Sequence, residues 1–431
     1  MAAKLAEAFG AQLPVGATVL IGRDHHKSSR MLKRAFVGGM LSAGINVIDL
    51  KSIPSAVLRF NLAQNPDDYS AGVYFRQERD DTTSTVITFF NGDALRIHSE
   101  LAKKIEKAYF KEAFRRVDFT QIGQISESHR IQECTDYKKS MEESFKKRLF
   151  SCVDCRIAVD MMHGTACEVF PHLLNDLAIG NMIFNNYHDA HQLANFKSLL
   201  KHSVRDMSNI VRSLELDVGF LIYPYGQRLD IVCDNGNVFG MKDALLIVLS
   251  LMDLEAAKEG RKRIFLPAWA PDIVKFDHLD IEYGKYADFK AEQLKQYDLI
   301  ATVDGNFAFT EFSLYRDSMY AAVKILEMII KQDVKLSDLV RKVEDFYYLQ
   351  TQVACSQSLK GKMMRKFLED AKGKRSSSTD GVKIWLSETD WILMIPDQYS
   401  DHLNLYIQAV NETSGQAIYD QYKAKIESWA K

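Results

Sequence analysis

Hydrophobic and polar positions fall into three successive blocks, each running from a short apolar strand through a polar loop and an amphipathic segment to a second apolar strand. The first block predicts a strand over 17–21, a loop over 22–27, a helix over 28–43 and a strand over 45–50. Met31, Leu32, Ala35, Phe36, Met40 and Leu41 recur on one face of that helix, with Ser28 or Ser29 to cap its start and Gly44 its end. The second block predicts a strand over 156–160, a loop over 161–165, a helix near 167–177 and a strand over 182–184. The third predicts a strand over 263–266, a helix near 271–276 and a strand over 281–283. It continues to a strand over 299–303 and a long helix with Asp317 as N-cap, apolar at Met319, Ala322, Val323, Ile325, Leu326 and Ile329.

Beyond about Asp345 the pattern changes. A basic amphipathic helix over 360–371 and a polar loop over 372–379 precede strands over 382–386, 391–395 and 403–409 and a closing helix over 414–430. Strands alternating with helices build parallel sheets covered by helices. The fold class is therefore α/β: three successive α/β domains with mixed, mostly parallel sheets, and a smaller C-terminal α+β domain. The expected boundaries are 1–150, 151–258, 259–345 and 346–431.

Composition narrows the function classes. Hydrophobic residues at 47% and charged ones at 26% exclude a disordered chain. The apolar stretch over 244–252 is far shorter than the ~20 residues that cross a bilayer. Lys4 and Glu7 interrupt the place where a secretory leader would need an apolar run, so a cytoplasmic location is expected. A net charge of −2 provides no field for holding a polyanion, which argues against nucleic acid as a partner. Six scattered cysteines suggest a reducing compartment, and Cys152-x-x-Cys155 lacks the second pair that a zinc site of this type needs.

The order of elements and several local strings resemble the α-D-phosphohexomutase superfamily, the phosphomannomutases and phosphoglucomutases. The strings are Val19-Leu-Ile-Gly-Arg-Asp24, Leu216-Asp-Val-Gly219 leading to Arg228 and Asp234-Asn-Gly236, Arg316-Asp317 before Ala321-Ala-Val-Lys-Ile-Leu-Glu327, and Asp380-Gly-Val-Lys-Ile384 before Trp391. Gly22-Arg-Asp-His-His26, the basic run from Arg30 and the segment over 346–365 are similar, more narrowly, to the mutase-like half of bacterial proteins that join a sugar-phosphate nucleotidyltransferase to a phosphomannomutase-like region. In such proteins the transferase comes first and this sequence lacks it, which suggests a fragment or a stand-alone version.

The resemblance implies four loops around a central cleft. The family's phosphoserine loop falls on Arg76-Gln-Glu-Arg-Asp-Asp81, with Glu78 at the serine. A carboxylate cannot store and return a phosphoryl group as a stable ester; Thr82 and Ser84 become nucleophile candidates only in a shifted register. Arg76 and Arg79 flank Glu78 and can pair with it. The family's metal loop, which holds Mg2+ with three aspartates, falls on Tyr223-Pro-Tyr-Gly-Gln-Arg228. Its ligand positions are Tyr223, Tyr225 and Gln227, and phenols of pKa ~10 are neutral at pH 7, so no metal or other cofactor is expected. Arg228 alone matches, while Asp230 and Asp234 read as strand and turn residues.

The sugar loop falls on Val303-Asp-Gly-Asn-Phe-Ala308, with Asp304 the nearest counterpart of a hydroxyl-gripping glutamate. The phosphate loop falls on Ile395-Pro-Asp-Gln-Tyr-Ser-Asp401, which is acidic where a phosphate should dock. Arg23, His25 and Lys27 lie between a strand and a helix N-terminus, a setting that favours anions, and are substrate-binding candidates beside Asp304. Lys360, Lys362, Arg365 and Lys366 read as a solvated face.

No catalytic residue is expected, with Arg23 and Arg228 as the remaining cleft candidates. The leading expectation is a catalytically inactive, structural or regulatory relative acting toward a sugar-nucleotide-forming enzyme. The alternatives are an active phosphomannomutase or phosphoglucomutase with altered loops and a sugar-phosphate sensor. Expected partners are a sugar phosphate and a sugar-phosphate nucleotidyltransferase, fused or separate, with no nucleic acid or membrane, in a monomer or homodimer.

Overall fold

Strand β1 (Thr18–Arg23) buries Val19, Leu20 and Ile21 completely and is flanked by two parallel neighbours, β2 (Asn46–Ser52) and β3 (Ala71–Gln77). In the computed structural model, which describes residues 1–78, 83–126, 130–151, 155–272, 274–285, 289–340, 346–397 and 400–430, this trio is the centre of a five-stranded sheet. Its order is β4-β3-β1-β2-β5, with β4 (Thr85–Asn91) antiparallel to β3 and β5 (Ile125–Ser126) parallel to β2. Helix Lys27–Ser42 follows β1 and lies one residue from its predicted place. Phe36 and Met40 from that helix and Ala6 and Phe9 from helix Ala2–Gly10 pack with Val19, Ile21, Val73 and Phe75 to form the core of this sheet.

The second sheet repeats the plan. Its first strand β6 (Arg156–Asp160) lies between parallel β7 (Gly180–Phe184) and β8 (Val218–Ile222), and antiparallel β9 (Leu229–Cys233) and β10 (Val238–Phe239) complete the order β10-β9-β8-β6-β7. Helix Phe196–Ser213 covers it through Leu199, Met207 and Val211. In both sheets the first strand, β1 or β6, has a later parallel strand on each side, so the connections run to opposite sides, which in open α/β sheets opens a crevice at the strands' C-terminal ends.

The chain divides into two compact units, Met1–Ala244 with Ala287–Ser337 and Leu245–Tyr286 with Asp338–Lys431. The first holds both sheets just described and an antiparallel hairpin of β13 (Leu299–Thr302) and β14 (Asn306–Phe309), which leads to helix Ser318–Gln332. Asp317 is its N-cap as the sequence predicts, accepting from the N–H groups of Met319 and Tyr320 at 3.0 and 3.1 Å. The second holds a parallel pair, β11 (Lys262–Pro267) and β12 (Leu279–Gly284). It also holds an antiparallel sheet ordered β15-β19-β18-β17-β16. Its strands are β15 (Tyr347–Ala354), β16 (Ser376–Ser377), β17 (Val382–Trp385), β18 (Trp391–Pro396) and β19 (His402–Ala409), backed by helices Gln357–Asp370 and Glu412–Ala430. Parallel sheets in the first three segments and an antiparallel α+β end bear out the expected fold class.

Two expectations need correction. The helix near 271–276 does not form among the described residues there. Asp272 instead accepts hydrogen bonds from Trp391 Nε1 at 2.8 Å, Gln408 Nε2 at 3.0 Å and Lys383 Nζ at 3.1 Å, so side-chain partners hold this segment outside a helix. Lys360 is not on a solvated face. It is 6% exposed, and its ammonium donates to the Asp397 carbonyl at 2.5 Å and to the Ser400 carbonyl. The loop after β18 turns these carbonyls toward the ammonium, and the Ser400 carbonyl also accepts from His402 N–H at 2.8 Å. Among the described residues no helix is long and apolar enough to cross a membrane.

Candidate functional site

A cavity of about 170 Å³ in the first unit brings together residues from six separate segments, one of them the apolar pair Leu193 and Phe196. The hairpin tip between β8 and β9 contributes Tyr223, Pro224, Tyr225, Gln227 and Arg228, and the tip between β13 and β14 contributes Asp304 and Asn306. The end of β3 adds Arg76, Gln77 and Glu78, the β1 loop adds His26, and Arg316 stands just before the long helix.

Glycine geometry fixes the two tips. Gly226 turns the β8–β9 connection at φ +68°, donating its N–H to the Tyr223 carbonyl at 2.8 Å while its carbonyl accepts from Ser318 N–H at 3.1 Å. Gly305, at φ +75°, accepts from Leu229 N–H at 3.0 Å through its carbonyl, and a Cβ there would lie 2.5 Å from the Leu229 carbonyl oxygen. Only glycine combines this backbone conformation with so close an approach. Arg228 and Asn306 are bridged as a result.

The family's metal-ligand positions are occupied by side chains engaged with other parts of the protein. Tyr223 donates its hydroxyl to Asp230 Oδ2 at 2.9 Å, Tyr225 donates to the Gln77 carbonyl at 2.9 Å, and Gln227 Nε2 donates to Ser55 Oγ at 2.9 Å. Burial, reinforced by Asp24, pushes the Tyr225 phenol upward, so it stays neutral. Mg2+ wants anionic oxygen ligands in octahedral array, and this set of two neutral, hydrogen-bonded phenols and an amide does not fit it. Asp230, the nearby strand carboxylate, is also committed: it accepts from Arg228 Nη2 at 3.1 Å as well as from Tyr223.

Arg228 is 8% exposed and lies over the Tyr223 ring, 4.2 Å from its centroid. Its Nε is buried without a hydrogen-bond partner in the protein. Arg76 approaches Glu78 at 3.5 Å, the pairing that the sequence suggests, and also stacks toward the Tyr225 ring at 5.2 Å; Arg79 and Thr82 lie outside the described residues. Glu78 N–H donates to the Ser84 carbonyl at 2.9 Å, continuing the β3–β4 ladder that pairs Gln77 with Thr85. Ser84 therefore sits across the hairpin from Glu78 and does not line the cavity.

Burial would raise the Asp304 carboxyl, but Arg316, hydrogen bonds from Thr302 and Asn306, and Arg228 together hold it below its ordinary value. Burial pushes the His26 imidazole down against the pull of Asp24. Three guanidiniums thus face two carboxylates and a neutral imidazole, which leaves the lining with a formal charge of +1. Among the described lining residues none is serine, threonine or cysteine. The chemistry on offer is anion binding with hydroxyl recognition, with carboxylates and phenols but no aliphatic hydroxyl or thiol among the described lining residues.

Glu78, Arg228 and Asp304 meet here, whereas Arg23, His25 and Lys27 are not among the lining residues. Arg23 Nη1 donates to the Asp24 carbonyl at 2.5 Å, and Lys27 is exposed. The helix N-terminus that they flank already faces an anion of the protein itself. Asp24 accepts from His26 N–H at 3.0 Å and from Gln77 N–H at 2.6 Å, tying the β1 loop to the end of β3. His26 joins the site from the same loop as Arg23, His25 and Lys27, and Asn306 from the sugar-loop string beside Asp304, while Arg316, which the sequence marks only as the neighbour of a helix cap, is an addition that the structure makes. In the second unit, Asp401 of the phosphate-loop segment accepts from Gln357 N–H at 3.1 Å and Asp397 Oδ1 from Ser400 N–H at 2.8 Å. Asp397 thus serves the loop's own backbone and Asp401 the N-terminus of helix Gln357–Asp370; Gln398 and Tyr399 lie outside the described residues.

Residues 1–116 match Phosphoglucomutase/phosphomannomutase, alpha/beta/alpha domain I. The matches support the phosphoglucomutase/phosphomannomutase family of the α-D-phosphohexomutase superfamily. The chain is similar to the phosphoglucosamine mutase of Methanocaldococcus jannaschii, at 22% identity over 94% of this chain and 90% of that protein. It is also similar to a phosphoglucomutase/phosphomannomutase of Thermococcus kodakarensis, at 23% identity over 91% of this chain and 86% of that protein. A crystal structure of a phosphoglucomutase/phosphomannomutase family protein from Burkholderia thailandensis superposes with a TM-score of 0.79 at 16% identity, covering 99% of this chain and 93% of that one. This phosphohexomutase-like chain thus shares the fold of these proteins over nearly its whole length.

Proposed function

We propose that this phosphohexomutase-like protein binds a sugar phosphate without isomerising it and acts as a structural or regulatory partner of a sugar-nucleotide-forming enzyme in the cytoplasm. The observation that carries the reading is the fate of the β8–β9 tip: Tyr223, Tyr225 and Gln227 make three hydrogen bonds to Asp230, Gln77 and Ser55, so the tip serves packing where an enzyme of this kind would hold an ion. No resident Mg2+ takes part in this reading. Glu78 supplies a fixed negative charge beside Arg76 in place of a transferable phosphoryl group. The names of the relatives point to hexose and hexosamine phosphates as the ligand class. The partner is a sugar-phosphate nucleotidyltransferase, fused or separate.

A sensor is the form of this reading that the cavity favours, because Arg228 Nε is buried, unpartnered and part of a lining that is net positive. The test offers glucose 1-phosphate, mannose 1-phosphate or glucosamine 1-phosphate together with the corresponding bisphosphate activator, and follows exchange by 31P NMR. No isomer above the blank is expected, with a ligand-dependent rise in melting temperature that is lost in Arg228→Ala. Turnover that Arg228→Ala abolishes would replace this reading with an active mutase.

A further inference from the structure

Away from the cavity lining, three metal-ligating side chains converge where the two five-stranded sheets of the first unit present their central loops. His25 lies in the loop after β1, Glu168 ends the 3-10 turn Thr165–Glu168 that follows β6, and His188 follows β7. One potential ligand atom from each lies within 4.8 Å of the others, the only such group of three among the described residues. We propose that His25, Glu168 and His188 form a binding site for a divalent first-row transition ion, with Zn2+ as the fitting occupant, that ties the β1 loop of the first sheet to the β6 and β7 loops of the second.

The donor set selects the class of ion. Two imidazole nitrogens and one carboxylate oxygen suit Zn2+ and its transition-metal neighbours, whereas Mg2+ and Ca2+ prefer all-oxygen shells. Three protein ligands leave a fourth position for water or an exogenous group. His188 Nε2 and Glu168 Oε1 are 2.7 Å apart, and the rings of His25 and His188 are stacked. With metal bonds of about 2.0–2.2 Å, tetrahedral ligands stand roughly 3.4 Å apart; the three groups, now within 4.8 Å of one another, reach that spacing when the stacked rings turn their nitrogens toward a common centre. An ion inserts into the His188–Glu168 contact and replaces the proton that the two groups share.

The surroundings are built to hold these ligands in place. Ser52, itself 7% exposed, brings its hydroxyl within 2.8 Å of Nε2 and 3.0 Å of Nδ1 of His25, so a turn of the ring that gives one nitrogen to the ion leaves the other with an outer-shell partner. Asp189, next to His188, caps the following helix by accepting from the N–H groups of His191 and Gln192 at 2.8 and 3.2 Å. Thr165, at the start of the turn carrying Glu168, donates its hydroxyl to the Pro224 carbonyl at 3.1 Å. Glu168 and His188 side chains are 31% and 30% exposed, which leaves a path for the ion from solvent.

The test uses the full chain stripped with a chelator. Calorimetry with Zn2+ should show one equivalent bound, and the Co2+-loaded protein should show the visible bands of nitrogen and oxygen ligation without a thiolate charge-transfer band. His188→Ala and Glu168→Gln should each weaken Zn2+ affinity by about 100-fold or more, beyond the 10–100-fold that outer-shell partners carry. Cys167→Ser, which alters a neighbouring thiol, should leave affinity unchanged, and Mg2+ in millimolar excess should not compete. Circular dichroism of each variant separates loss of the site from loss of the fold. If Zn2+ does not bind stoichiometrically, if it binds folded His25→Ala and His188→Ala as tightly as the parent, or if a thiolate band appears, the proposal fails and the group is a hydrogen-bonded histidine–glutamate pair. None of these outcomes bears on mutase activity.

Discussion

Asp317 should impose an unusual pH dependence on the stability of the helix that begins beside Arg316. Its Oδ1 caps the helix through Met319 and Tyr320, and its Oδ2 accepts from the Tyr137 hydroxyl at 2.7 Å. Complete burial raises the carboxyl, those hydrogen bonds and Arg59 draw it back, and the result is pushed up to about 6 from 3.8. A shift of about two units at 1.36 kcal/mol each corresponds to about 3 kcal/mol. The sign follows from proton binding. Between about pH 4 and 6 the folded chain retains a proton that the unfolded chain has released, so stability is highest below about pH 4, falls as pH rises to about 6, and is level above. Asp317→Asn removes the titration while keeping an oxygen that caps nearly as well as a carboxylate. Native-state amide exchange in Ser318–Gln332 reads the opening of this helix without requiring the whole chain to unfold in one step. At matched pH, the opening free energy of the variant minus that of the parent should rise by about 3 kcal/mol from pH 4 to pH 7. A flat difference, or one that falls with pH, would refute the assignment of this carboxyl as a buried, reluctantly ionised cap.

Two further predictions concern the replaced loops. Glu78→Ser should not give phosphoryl exchange by 31P NMR, because Tyr223, Tyr225 and Gln227 still supply no anionic ligands for an ion that would polarise the phosphoryl oxygen. Its stability should fall by no more than about 1 kcal/mol, since the lost Arg76 pair is 3.5 Å long and the Glu78 side chain is 36% exposed; exchange in this single variant would show the other loops to be competent. Lys360→Met should destabilise the second unit by about 1–3 kcal/mol by leaving the Asp397 and Ser400 carbonyls without their charged donor. An unchanged melting temperature would mean that this lysine is as dispensable as a solvated one.

Local pattern was sufficient wherever an element's own residues decide its state. The strand over 156–160 appears with those bounds, the helix over 28–43 is displaced by one residue, and Asp317 caps where predicted. Apolar periodicity and cap chemistry act within a few residues of one another, and nothing distant opposes them in these places. The segment over 271–276 failed for the opposite reason: its conformation depends on Lys383, Trp391 and Gln408 meeting Asp272 from more than a hundred residues away. Lys360 followed the same rule, since its charge pattern matches that of an exposed lysine and only the returning loop after β18 buries it.

For the candidate site, the sequence by itself determined the types of side chain present: a carboxylate at Glu78, phenols at Tyr223 and Tyr225, an amide at Gln227, and no aspartate at the positions where the family resemblance implies metal ligands. Those identities limit the chemistry before any folding. Tertiary structure alone decided what each group faces. Tyr223 could have pointed anywhere until β9 placed Asp230 beside it, and Arg316 became a cavity residue only when the β13–β14 hairpin docked through Gly305 onto Leu229. His25 could not be linked to Glu168 and His188, which lie more than 140 residues away, until two sheets with the same strand plan brought their central loops together. Side-chain chemistry is a property of the residue, but coordination, pairing and charge balance are properties of distance, and distance between remote segments is set by packing.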